Sequence, residues 1–238
     1  MADPEHLNLL PGIPLLYEDR FLLAVAKPAG LLAQGDHTGN DNLLDLCKSA
    51  LAKRGNRGSK AWLGLLHRLD RPVGGAMLFA KTPAAAASLS EQIRKRLIQK
   101  HYLAAVQGET PPNGLLTDRL VKENHTNTVR VAGESDAGGM DAELHYLKIA
   151  SAPKDHLSLI RVHLVTGRPH QIRVQFASRG FPIVGDRKYG KTGSGHRAPM
   201  ALHAFRIDFQ HPDTGDRTTI VSPPEKAWPW TLFELPGE

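Results

Sequence analysis

The sequence predicts an α+β fold in which most strands follow one another directly. Two observations carry this. Strand candidates at 101–107, 117–122, 128–131, 141–150 and 156–164 succeed each other with turns and no helix between them, which disfavours a doubly wound parallel sheet. Helical patterns are confined to three stretches, near 43–51, from 83 onward and near 170–179.

Taken in order, residues 1–13 read as a leader and 14–238 as one domain, with no linker, internal repeat or low-complexity tract. Phe21 to Ala26 is an apolar strand stopped by Lys27-Pro28-Ala29-Gly30. Asn42 is placed to cap a helix bearing Leu43, Leu46, Cys47 and Leu51. Lys53 to Lys60 reads as a basic loop. Thr82-Pro83 starts a second helix, whose expected buried stripe is Leu89, Ile93 and Leu97. In the strand after it Tyr102, Ala104 and Val106 share a face. The third helix is expected to stop at Gly180, with Ile172 and Phe176 facing the core. Arg173 lies beside that stripe, so its guanidinium is expected to be partly buried and to need an anionic partner.

Composition narrows the function classes. The chain has 238 residues, 41% hydrophobic and 23% charged, ordinary for a folded domain with a sizeable core. A net charge of +6 suggests an anionic partner. From Arg161 to Arg197 eight cations face one acid, Asp186, which marks the main basic face. The single cysteine, Cys47, excludes an internal disulfide and a cysteine-rich zinc site. His145 and His163 lie in alternating strands and are assigned to packing or hydrogen bonding. The first eight residues are acidic where a signal peptide is basic, and no apolar run approaches the ~20 residues of a membrane helix. A cytoplasmic protein is expected.

The chemistry concentrates in His67-Arg68-Leu69-Asp70-Arg71-Pro72-Val73-Gly74-Gly75. Pro72 pushes Arg71 toward extended geometry and stiffens the backbone after Asp70. Gly74 and Gly75 allow positive φ or close approach of another backbone. A carboxylate held between two arginines at the lip of a strand suits a reactive Asp. A surface ion pair of Asp70 with Arg68 or Arg71 is the plainer reading, and spacing alone favours it.

Three stretches together resemble the RluA-type RNA pseudouridine synthases: His67-Arg68-Leu69-Asp70 with Gly75 and Leu78 to Thr82; Lys100 to Ala104 with Val106 and Gly108; and Thr166-Gly167-Arg168-Pro169-His170-Gln171-Ile172-Arg173 with Gly180, Pro182-Ile183, Gly185-Asp186 and Tyr189-Gly190. Lys27 to Gly30 and Leu202-His203-Ala204 add weaker support, and the resemblance spans roughly 14–232. One departure is Val73-Gly74-Gly75, where many members carry a hydroxyl residue before the glycine. There is no room before Tyr17 for an S4-type module, so a catalytic-domain-only member is expected.

The resemblance implies a mixed, largely antiparallel sheet with flanking helices and a catalytic cleft across it. It implies conversion of uridine in ribosomal or transfer RNA to pseudouridine, with no metal, cofactor or external energy source. No obligate protein partner is expected, and a monomer is the default expectation. It makes Asp70 the catalytic carboxylate, Arg173 its pairing cation and Tyr102 the residue that stacks on the base. Arg68 matches a position from which an arginine enters the vacated stack. Ile172 and Leu202 are expected to wall the uracil pocket, and Arg168 and His170 to contact substrate. A non-catalytic RNA-binding protein and a carboxylate-dependent nucleoside hydrolase are the competing readings; the latter usually needs two carboxylates.

Overall fold

Alternating apolar residues over short runs, punctuated by glycine and proline, produce a chain dominated by strands. The structure is a computed structural model and describes residues 8–55, 61–123, 125–136, 138–190 and 198–236. The chain divides into two units, Met1–Gln99 with Ala204–Pro223, and Lys100–His203 with Pro224–Glu238.

The first unit contains strands β1 (Asn8–Leu10), β2 (Ile13–Glu18), β3 (Leu22–Lys27), β4 (Gly64–Leu65) and β5 (Gly74–Ala80), with helices α1 (Leu43–Arg54) and α2 (Pro83–Arg94). β1, β2, β3 and β5 pair in that order, antiparallel, and β4 also pairs with β5. The expected leader therefore contains a strand: Pro11 and Gly12 turn the chain so that β1 lies on β2. Residues 1–7 lie outside the described residues. Both helix starts are as expected. The Asn42 side chain accepts from the Asp45 N–H and that of Thr82 from the Ala85 N–H.

The end of α2 differs from expectation. The helix stops at Arg94, Arg96 takes a left-handed φ of 57°, and Leu97 is exposed. The four-residue repeat of Leu89, Ile93 and Leu97 outlasts the helix because Arg96 redirects the chain. Lys53 and Arg54 likewise belong to α1 rather than to a loop, and residues 56–60 lie outside the described residues. The core of this unit joins Leu22, Ala24, Leu78 and Leu89 to Phe209 and Ile220.

The second unit contains β6 (Gln99–Gln107), β7 (Asn113–Glu123), β8 (Thr128–Val131), β9 (Met140–Ala152) and β10 (Leu157–Leu164), with α3 (Gln171–Ala177). The order is β6, β10, β9, β7, β8, and each of these ladders is antiparallel. His101, His163 and His145 stand at one register on neighbouring strands, and their rings stack, with centroids 5.1 and 6.1 Å apart. Val174 of α3 packs on Leu120, Val129 and Ala142. Strands β11 (Leu202–Gln210) and β12 (Arg217–Val221) follow, paired antiparallel; from Ala204 onward they belong to the first unit, where β11 lies beside β5. The fold is thus α+β with a mostly antiparallel sheet, as the strand succession predicts. Among the described residues no helix is long and apolar enough to cross a membrane.

Candidate active site

Asp70 sits in a turn of the first unit whose backbone is tied down on both sides. The Val73 N–H donates to the Asp70 carbonyl at 2.9 Å and closes the turn. The Gly30 N–H donates to the Arg71 carbonyl at 2.7 Å, while Arg71 Nε returns a bond to the Gly30 carbonyl at 2.9 Å. Upstream, His67 Nε2 accepts the Leu78 N–H at 3.0 Å, which places the proton of a neutral ring on Nδ1. Downstream, Gly75 has φ +116°, and a Cβ there would meet the Ala204 backbone oxygen at 2.3 Å. Close approach of two strands requires that glycine.

The buried cation beside Asp70 in this unit is Lys27, at the end of β3. The residue is 1% exposed, and Nζ donates to the carbonyls of Leu31 (2.7 Å), Pro28 (3.0 Å) and Arg71 (3.2 Å). Burial pushes the Lys27 amine down to about 8, and the charge of Asp70 acts in the opposite direction. Expectation placed Arg68 and Arg71 as the flanking cations. Arg68 is exposed and Arg71 Nε serves the Gly30 carbonyl. In the sequence Lys27 marks a strand break and belongs to a weaker family motif, and neither assigns it a role beside Asp70. The usable signal was a lysine ending a run as apolar as Leu22-Leu23-Ala24-Val25-Ala26.

The second unit holds the other expected residues. Tyr102 is buried on β6 opposite Val162. The Thr166-to-His170 turn is organised by Gln171, a residue not singled out for a role. Its Oε1 accepts from Thr166 Oγ1 (2.8 Å) and the Arg168 N–H (3.0 Å), and its Nε2 donates to the Glu143 carbonyl (3.1 Å). Arg168 is turned to protein: Nε donates to the Asp141 carbonyl at 2.9 Å. Leu202 at the start of β11 and Ile172 in α3 are buried.

Arg173 is more deeply buried than expected, at 4% exposure. Asp186, the lone acid of the basic segment, meets it in a two-pronged pair: Nε to Oδ2 at 2.7 Å and Nη2 to Oδ1 at 2.8 Å. Burial works against the Asp186 carboxylate, but the Arg173 hydrogen bonds and charge, with the N–H groups of Lys188 and Tyr189, hold it below the usual carboxylate range. His170 opens α3 with a left-handed φ of 53°, and its Nδ1 lies 2.7 Å from the Tyr189 hydroxyl. Lys191 and Arg197 of the expected basic face lie outside the described residues. Cys47 is buried in α1, which pushes its thiol up to about 12 and leaves it inert.

The family described as RNA pseudouridylate synthase matches residues 21–178. The chain belongs to this family. A ribosomal large subunit pseudouridine synthase D from Zymomonas mobilis is 35% identical over 89% of this chain and 69% of the relative. An uncharacterized RNA pseudouridine synthase, YhcT, of Bacillus subtilis is 33% identical over 94% of this chain and 73% of its own. A ribosomal large subunit pseudouridine synthase C from Buchnera aphidicola is 33% identical over 91% and 68%. Among solved structures, human RNA pseudouridylate synthase domain containing 4 has a TM-score of 0.73 at 21% identity, covering 89% of this chain and 88% of that one, which shows the shared fold. The synthase isomerises uridine in RNA to pseudouridine, the activity its motifs imply.

Proposed function

We propose that this synthase acts on uridine in ribosomal large-subunit RNA, with Asp70 as the catalytic carboxylate. Relatives named for the large ribosomal subunit, each covering most of this chain, support the substrate. The observation that carries the Asp70 assignment is its setting: a turn held by the Arg71–Gly30 clasp, with the buried Lys27 cation alongside. A carboxylate held rigidly in this way is suited to act as a nucleophile or base. Arg173 is the cation proposed to serve it, Tyr102 the ring against the target base, and Ile172 and Leu202 the walls of the uracil pocket. Arg68, exposed before Asp70, is proposed to enter the stack vacated by the nucleotide. Arg168 and His170 are proposed to set the backbone of the Thr166–His170 turn beside the RNA rather than to bind bases.

The reaction breaks the bond from uracil N1 to the sugar and joins C5 to the same sugar carbon. The hydrogen of C5 leaves for solvent and N1 gains a proton. Tritium at C5 is therefore released in step with product. The test uses C5-tritiated RNA from cells lacking this protein, with large-subunit, small-subunit and transfer RNA assayed separately. Release from large-subunit RNA by the wild type, and none by Asp70→Asn at unchanged RNA affinity, is the expected result. Release only from transfer RNA would reassign the substrate; an active Asp70→Asn enzyme would reassign the carboxylate.

A further inference from the structure

We propose that Tyr189, together with Asp186, is a positioning residue for Arg173. The proposal rests on the catalytic role assigned to Arg173 above. Tyr189 touches three separate pieces of the second unit. Its hydroxyl accepts the Val129 N–H of strand β8 at 2.7 Å and lies 2.7 Å from His170 Nδ1 at the start of α3. Its ring lies under the Arg173 guanidinium, with the central carbon 5.1 Å from the ring centroid. Its backbone N–H donates to Asp186 Oδ1 at 3.2 Å, beside that of Lys188 at 2.9 Å.

Asp186 thus receives two bonds from Arg173 and two from the backbone that follows it, which leaves the carboxylate little freedom. It grips the Nε/Nη2 edge of the guanidinium, and the Tyr189 ring supports one face. A planar cation held along one edge and over one face has its remaining edge aimed in one direction. The ring is itself held by its hydroxyl, which ties an edge strand to a helix start. His170 adopts a left-handed backbone, unusual for a side-chain-bearing residue, at the place where its Nδ1 meets that hydroxyl. Neutralising a buried charge needs only the carboxylate. A supported ring adds control of angle, which a positioned catalytic cation requires.

The experiment compares Tyr189→Phe, which deletes both hydroxyl contacts but keeps the ring, with Tyr189→Leu, which removes the ring as well. Both are made in the wild type and in an Arg173→Lys background. Turnover, KM, RNA affinity and thermal midpoint are measured. Tyr189→Phe is expected to lower kcat about tenfold with KM within about twofold, the pattern of lost transition-state stabilisation. Tyr189→Leu is expected to lower it further. In the Arg173→Lys background the loss from Tyr189→Phe should shrink to about twofold or less, because the group it positions is gone. Equal losses in both backgrounds, or a rise in KM with kcat intact, would overturn the proposal. If Arg173→Lys leaves no rate to measure, exchange of the Arg173 Nε–H by nuclear magnetic resonance decides: several-fold faster exchange in Tyr189→Phe supports positioning, and unchanged exchange refutes it. An Arg173→Lys enzyme at full rate would overturn the underlying reading of Arg173, and this role with it; wild-type rates in Tyr189→Phe alone, with Arg173→Lys impaired, would overturn only this role.

Discussion

Lys27 Nζ donates to the carbonyl of Arg71, 44 residues along the chain and next to the candidate catalytic carboxylate. The ammonium also holds the carbonyls of Pro28 and Leu31, so one side chain joins the end of β3 to the turn that carries Asp70.

Replacing that lysine separates its two effects. Lys27→Met removes three charge-assisted bonds and is expected to lower turnover more than tenfold, through loss of the turn. Its influence on stability depends on pH. The amine titrates near 8 in the folded chain and at 10.5 in the unfolded one, so the unfolded state binds more protons between those values. Stability from this group therefore rises as pH increases through that window, by roughly 3 kcal/mol. Urea denaturation of wild type and Lys27→Met between pH 7.5 and 10.5 should show the rise only in the wild type.

Gly75→Ala is expected to cost more than about 3 kcal/mol or to prevent folding, since the new Cβ strikes Ala204 backbone atoms at a φ that L residues avoid. Gly12→Ala, also at positive φ but with open space around it, is expected to cost only about 1 kcal/mol. Thermal melts of the two variants would expose any error: similar losses would mean that strand approach is not what selects Gly75.

Arg173→Ala strands the Asp186 carboxylate in the interior, an expected loss of about 3–5 kcal/mol. Because Asp186 is held below its unfolded range, its contribution is present above the unfolded value and disappears as pH falls through the folded one. The stability gap between wild type and Arg173→Ala should therefore narrow on acidification below about pH 4. A gap independent of pH would contradict the pair.

Arg68 has no such structural burden. The side chain is exposed, so Arg68→Ala is expected to leave stability within about 0.5 kcal/mol. Turnover on structured RNA should fall, with a smaller loss on an unpaired oligonucleotide whose target base needs no extrusion. Equal losses on both substrates would show that Arg68 does not serve base extrusion.

Local features were legible wherever the determining contact spans a few residues. The Asn42 and Thr82 caps act three residues away, and both helices begin where those side chains predict. Alternation predicted the strands around Tyr102 and His163. Leu97 departs from the buried stripe its spacing predicts, because a left-handed Arg96, which no spacing announces, redirects the chain before it.

By itself the sequence determined the family and the α+β class, and it picked out the stretches proposed to carry the chemistry, since each is written in residue type and short-range order. Only the tertiary structure decided that Lys27 is buried against the Asp70 turn, that Asp186 is a carboxylate gripping Arg173, and that Tyr189 joins β8 to the start of α3. Those contacts link residues 13 to 60 positions apart. Their energies come from burial and direction, which exist only once the chain has closed on itself.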